Sequence, residues 1–167
     1  MDDAEVDVME SNYATAVVCE IVPTDVLPEP RAGVARPIQV LLVEDDADAA
    51  ELVRIRLTED SEDPFRVEWS PNLFEAMNRL TDPGIDVILL DLGLPELSGY
   101  RSYRAIEAAA GHRIPVVIFT SDDRDNVRQL ILEFGASDYL VKGSCSPARL
   151  RRALRVAVMR TGTEKPS

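Results

Sequence analysis

The stretch Asp86-Val-Ile-Leu-Leu-Asp-Leu-Gly-Leu-Pro95 (DVILLDLGLP) decides the fold. Val87 to Leu90 form an apolar run of strand length with no alternation. A strand with one wet face alternates, whereas an unbroken run suits a parallel strand covered on both faces. The run ends at an acid, Asp91, and Gly93 and Pro95 follow it. A carboxylate there is either a helix cap or a chemical group, and the surrounding sequence has to decide which.

The same texture recurs on both sides. Strands are predicted at Gln39–Val43 (QVLLV), Phe65–Trp69 (FRVEW), Asp86–Leu90, Pro115–Phe119 (PVVIF) and Asp138–Val141 (DYLV). Phe65–Trp69 alternates, which suits an edge. Amphipathic helical patterns lie between the strands. Ala49, Leu52, Val53 and Leu57 fall on one face after the first strand. Ser70-Pro71 reads as a cap and first helical residue before a stripe of Leu73, Ala76, Met77 and Leu80. Ser121 reads as the cap of a helix with an acidic first turn (Asp122, Asp123), a stripe of Val127, Leu130, Ile131 and Phe134, and a stop at Gly135. Ser146 and Pro147 open a last helix striped by Leu150, Ala153, Leu154, Ala157 and Val158. Strands alternating with helices predict an α/β fold, a doubly wound five-stranded parallel sheet. Its active crevice should lie at the carboxyl ends of the strands.

This folded part spans residues 37–160. Residues 1–36 are proline-containing and lack helical period, so they read as an acidic, mostly disordered extension, with a candidate extra strand at 13–22 (YATAVVCEIV). They carry eight acids against Arg31 and Arg36, half of the net charge of −12. That charge argues against direct nucleic-acid binding, because phosphate backbones demand the opposite sign. No apolar run reaches membrane-spanning length and the start is acidic, so a cytoplasmic protein with no membrane contact is expected. Cys19 and Cys145 form no framework, and zinc at the single histidine, His112, is not expected. Residues 161–167 are a polar end, so no output domain is expected to follow.

The chemistry sits where the strands stop. The first strand runs into Glu44-Asp45-Asp46, the third into Asp91, the fourth into Thr120-Ser121 and the fifth into Lys142. Each has an ordinary reading alone: a cap, a strand-favouring threonine, a solvated lysine. Carboxylates converging on one rim repel unless a hard cation takes their oxygens, and Mg²⁺ suits one or two carboxylates with phosphate oxygens. Together the groups suit phosphoryl transfer to Asp91, with Mg²⁺ and Lys142 neutralising the phosphoryl oxygens and Thr120 donating to one of them.

Glu44-Asp45-Asp46, Asp91-Leu-Gly-Leu-Pro95, Phe119-Thr-Ser121 and Gly135-Ala-Ser-Asp-Tyr-Leu-Val-Lys142 resemble the response-regulator receiver family of two-component signalling, over about residues 37–160. The resemblance implies a (βα)5 flavodoxin-like receiver fold with Asp91 as phosphoacceptor. Glu44 and Asp45 would form the acidic pocket, and the Gly93 carbonyl would be a further Mg²⁺ ligand. Thr120 would be the switch hydroxyl, Tyr139 the switch aromatic and Lys142 the phosphate-binding lysine. The donor would be a histidine kinase or phosphotransfer protein. Phosphorylation would draw Thr120 forward and let Tyr139 rotate into the vacated space. A downstream protein would then read the face of the fourth helix, fifth strand and fifth helix. Two positions depart from the pattern: Gly143 replaces the proline common after the lysine, and Gly93 has no side chain two residues past the acceptor.

Two other functions compete. One is an interaction module that no longer cycles phosphate. The other is a metal-dependent phosphatase using Asp91, which would ordinarily supply an acid at the position held by Gly93. Arg149, Arg151, Arg152, Arg155 and Arg160 give the last helix a basic outer face. It reads either as a solvated helix whose late arginines suit its dipole or as a dock for an acidic partner or the chain's own acidic tail.

Overall fold

The computed structural model describes residues 36–58, 64–97 and 99–163. The expectations for residues 1–35, including the strand at 13–22, and for the last four residues lie outside the described residues. Among those described, five strands and five helices alternate: β1 (Ile38–Val43), α1 (Ala47–Thr58), β2 (Phe65–Ser70), α2 (Leu73–Arg79), β3 (Val87–Leu90), α3 (Tyr100–Ala110), β4 (Val116–Thr120), α4 (Asp125–Glu133), β5 (Asp138–Val141) and α5 (Pro147–Thr163). The sheet order is β2-β1-β3-β4-β5, and every pairing is parallel. None of the described helices is long and apolar enough to cross a membrane.

Strand periodicity divides the core. Val40, Leu42, Val87, Leu89, Val117, Phe119 and Leu140 pack with Val53 and Leu57 of α1 and with Leu150 and Leu154 of α5. Leu41, Val43, Ile88, Leu90, Ile118 and Tyr139 pack on the other side with α2, α3 and α4, through Leu73, Ala76, Tyr103, Ile106 and Ile131. Burial on both sides is why the central strands read as unbroken apolar runs. β2 is one edge of the sheet, as its alternation implied, and β5 is the other. The strand order reverses between β1 and β3, whose ends lie side by side with Val43 opposite Leu90. Glu44 and Asp91 are the next residues on neighbouring strands.

Three local expectations are corrected. Leu52 is 48% exposed, and α1 buries Ala50, Val53 and Leu57. The cap sets this phase: the Asp46 carboxylate accepts from the Asp48 and Ala49 amides at 2.9 and 3.3 Å. Ser70 does not cap α2 but pairs with Val43 as the last residue of β2. Asn72 caps instead, accepting from the Glu75 amide at 2.8 Å while its own amide donates to the Glu75 carboxylate at 2.9 Å. Ser121 does not cap α4, which begins at Asp125, because Asp122 pairs with Arg124 and holds 121–124 as a loop. Of that helix's stripe, Ile131 is buried while Leu130 and Phe134 are exposed. The stop at Gly135 stands, with φ of 104°. So does the opening of α5, where the Ser146 hydroxyl accepts from the Arg149 amide at 3.2 Å.

Leu57→Ala should cost about 2–5 kcal/mol of unfolding free energy, because Leu57 is fully enclosed. Leu52→Ala should stay within about 0.5 kcal/mol. Urea unfolding of the two variants checks the phase of α1.

Candidate functional site

Three successive acids at the end of β1 have three different environments. Glu44 is buried, Asp45 is exposed at the rim, and Asp46 is the α1 cap. Asp91, at the end of β3, is buried, and its carboxylate accepts from the Gly93 amide at 3.1 Å. Lys142 follows β5, held in line because its amide donates to the Thr120 carbonyl at 2.9 Å. Its ammonium donates to Glu44 at 2.5 Å and to Asp91 at 2.7 Å. The side chain is only 21% exposed.

One ammonium thus serves two buried carboxylates. Burial opposes the Lys142 charge, but the hydrogen bonds it donates to Asp91 and Glu44 outweigh it and hold the lysine pKa above its ordinary value. Glu44 is the loser. Burial pushes its carboxyl above the usual carboxylate range, against the pull of Lys142 and helped by the neighbouring Asp91 charge. Asp45 adds a third acid, and oxygens of Glu44, Asp45 and Asp91 lie within 4.8 Å of one another. The donor set is all hard oxygen with negative charge in excess of the single ammonium, which fits Mg²⁺.

The opposite wall holds Thr120, buried at the end of β4. It lines an open cleft of about 510 Å³ with Asp91, Gly93, Tyr100 and Arg124. A side chain at Gly93 would place its Cβ 3.5 Å from one Asp91 oxygen and 3.6 Å from the other, so glycine leaves the carboxylate uncovered. The Thr120 oxygen accepts from the Asp122 amide at 3.3 Å, leaving its hydroxyl proton to donate elsewhere. Tyr139 stands apart from the cleft: it is buried in the core, and its hydroxyl donates to the Asp122 carbonyl at 2.8 Å. Burial pushes that phenol up to about 12, so it stays a donor at neutral pH.

The match to the response regulator receiver domain model runs over residues 40–155. The chain belongs to the response-regulator receiver family. The receiver's relatives include the swarming motility regulation protein RssB of Serratia marcescens, 35% identical over 71% of this chain and 52% of that protein. The phosphate regulon transcriptional regulatory protein PhoB of Klebsiella pneumoniae is 37% identical over 73% of this chain and 52% of that protein. The chain spans about half the length of these relatives. Among solved structures, the receiver domain of sensor histidine kinase PA1611 from Pseudomonas aeruginosa PAO1 superposes with a TM-score of 0.62 at 29% identity, over 74% of this chain and 98% of that one. That structure carries a magnesium ion in its active-site cleft.

Glu44, Asp45, Asp91 and Lys142 are brought together as the sequence implied, with Thr120 across the cleft. The sequence reading missed the Asp122–Arg124 ion pair, closest contact 2.5 Å, and the contact of Trp69 with the acid loop. An acid and an arginine two residues apart in a strand-to-helix loop were the available signal for the first.

Lys142→Met would strand two buried carboxylates, and should lower unfolding stability in metal-free buffer at neutral pH by about 2 kcal/mol. Chemical denaturation beside the parent measures it.

Proposed function

We propose that this receiver is a phosphorylation-operated signalling switch in which Asp91 accepts a phosphoryl group. The reading rests chiefly on the Asp91 carboxylate, which meets an ammonium at 2.7 Å on one side and an open cleft on the other. The donor is a phosphohistidine of a histidine kinase or phosphotransfer protein. An Asp91 oxygen bonds to phosphorus as the P–N bond breaks, and the imidazole keeps the electron pair and takes up a proton. Glu44, Asp45 and Asp91, with the Gly93 carbonyl, would hold Mg²⁺, which when bound supplies positive charge against the phosphoryl oxygens. Lys142 gives a second positive charge to the same oxygens, and Thr120 turns its free hydroxyl proton to one of them. Geometry favours these roles because Asp91, Thr120 and Lys142 sit at or directly after the ends of β3, β4 and β5.

Phosphorylation replaces the carboxylate with roughly −1.5 to −2 of charge. Lys142 then has a stronger partner than Glu44, and Thr120 is drawn toward Asp91. The Thr120 oxygen carries the Asp122 amide, and the Asp122 carbonyl carries the Tyr139 hydroxyl, so the pull reaches α4, β5 and α5. A downstream protein reads that face. Arg149 and Arg152 stand exposed there and line an open groove with Val156, which suits an acidic partner. Gly93 leaves room for a phosphatase acid but supplies none, so a dedicated phosphatase is the poorer reading.

Acetyl phosphate with Mg²⁺ should add one phosphoryl mass to the parent and none to Asp91→Asn, read by intact-protein mass spectrometry. Failure of the parent to gain that mass would leave only the non-cycling interaction module. Gly93→Leu, which covers the carboxylate, should lengthen the acyl-phosphate lifetime several-fold. Following loss of the adduct over time in both proteins tests it.

A further inference from the structure

Trp69 lies outside the proposed chemistry yet holds its frame. It is the chain's single tryptophan, 46% exposed at the carboxyl end of edge strand β2. Its indole N–H donates to the Glu44 backbone carbonyl at 2.7 Å. The Glu44 amide in turn donates to the Ser70 carbonyl at 3.1 Å. The end of one strand therefore grips the Glu44 backbone at both its donor and its acceptor.

The gripped carbonyl belongs to the peptide joining Glu44 to Asp45, two of the three clustered acids. A peptide unit is planar, so turning that carbonyl turns the Asp45 amide and redirects the chain carrying the Asp45 carboxylate. The flanking residues are anchored by other means, Glu44 through Lys142 and Asp46 through the α1 amides. Asp45 is exposed at the rim. Trp69 is one wall of an open groove with Ala47, Ala50, Glu51, Arg54 and Val67, and a phenyl ring at position 69 would keep an apolar wall there. What it would lack is the N–H.

We infer that Trp69 is a positioning residue for cation binding: its indole N–H fixes the Glu44–Asp45 peptide so that Glu44, Asp45 and Asp91 present oxygens to one Mg²⁺. The inference rests on the acid pocket taking Mg²⁺, as proposed above. A ligand-orienting contact of this kind is worth about tenfold in metal affinity, the lower end of what outer partners contribute.

The test is titration of the full chain with Mg²⁺ alone, by calorimetry, with no phosphodonor present. Trp69→Phe should still unfold cooperatively in metal-free urea and bind Mg²⁺ about tenfold more weakly than the parent. In the parent, the indole N–H resonance should shift with the same saturation curve as the calorimetric binding. Equal Mg²⁺ affinity in parent and Trp69→Phe overturns the inference and leaves the acid pocket standing, whether or not stability falls. Absence of Mg²⁺ binding by the parent overturns both. Should Trp69→Phe fail to fold, the parent's resonance decides: movement with Mg²⁺ supports the role, and a stationary indole overturns it.

Discussion

One ammonium between two buried carboxylates is the constraint on which the rest of the site depends. Lys142 reaches Glu44 and Asp91 at 2.5 and 2.7 Å, in a pocket where neither acid is well hydrated. Buried charges survive when they are paired and hydrogen-bonded, and here the pairing is incomplete by design of the count. Two anions share one cation, and Asp45 adds a third acid at the rim. Burial, with the Asp91 charge beside it, raises the Glu44 carboxyl against the pull of Lys142. Such a pocket is stable enough to fold and carries more negative charge than Lys142 alone offsets, which is what the proposed Mg²⁺ and phosphoryl chemistry would draw on.

Sheet topology makes the crowding possible. Parallel strands all deliver their carboxyl ends to one edge, and the reversal between β1 and β3 leaves a crevice there that no crossover covers. Glu44 and Asp91 become neighbours because Val43 and Leu90 are in register. Lys142 arrives from β5 by the same logic, its amide tied to the Thr120 carbonyl at the end of β4. Residues separated by 98 and 51 positions thus meet the same ammonium. No loop has to search for this geometry.

That dependence on strand ends explains what was legible. The apolar runs marked out the strands, because double-sided burial leaves a pattern that tolerates few polar residues, and the residues directly after the runs are Glu44, Asp91, Thr120 and Lys142. Helix starts were less legible. Ser70 and Ser121 are good caps in isolation, but pairing with Val43 keeps Ser70 in the strand, and the Arg124 pairing of Asp122 keeps 121–124 out of the helix. Both are tertiary or through-loop effects that propensity does not encode. The phase of α1 failed for a related reason: several apolar residues could have faced the core, and the Asp46 cap chose Ala50, Val53 and Leu57 over Leu52. Trp69 was read only as a strand residue, since nothing in its neighbours' chemistry announces a donor aimed at the next loop.

Tyr139 bears on how far the switch has to travel. The family pattern implies an aromatic that moves inward once Thr120 has been drawn away, yet here the ring is already in the core with its hydroxyl on the Asp122 carbonyl. Arg128 lies 5.3 Å from the ring centre, and the hydrogen bonds from Arg124 hold the Asp122 carboxylate below its usual pKa. The β4–α4 loop is therefore braced in the arrangement that accepts the tyrosine. A phosphoryl group can shift an equilibrium only by its difference in interaction with the two states. Under the proposed phosphorylation of Asp91, that difference would be felt first at Thr120 and at the Asp122 amide it accepts from. The buried ring and the β4–α4 loop are thereby tied together through the Asp122 carbonyl, on the same loop whose amide reaches Thr120.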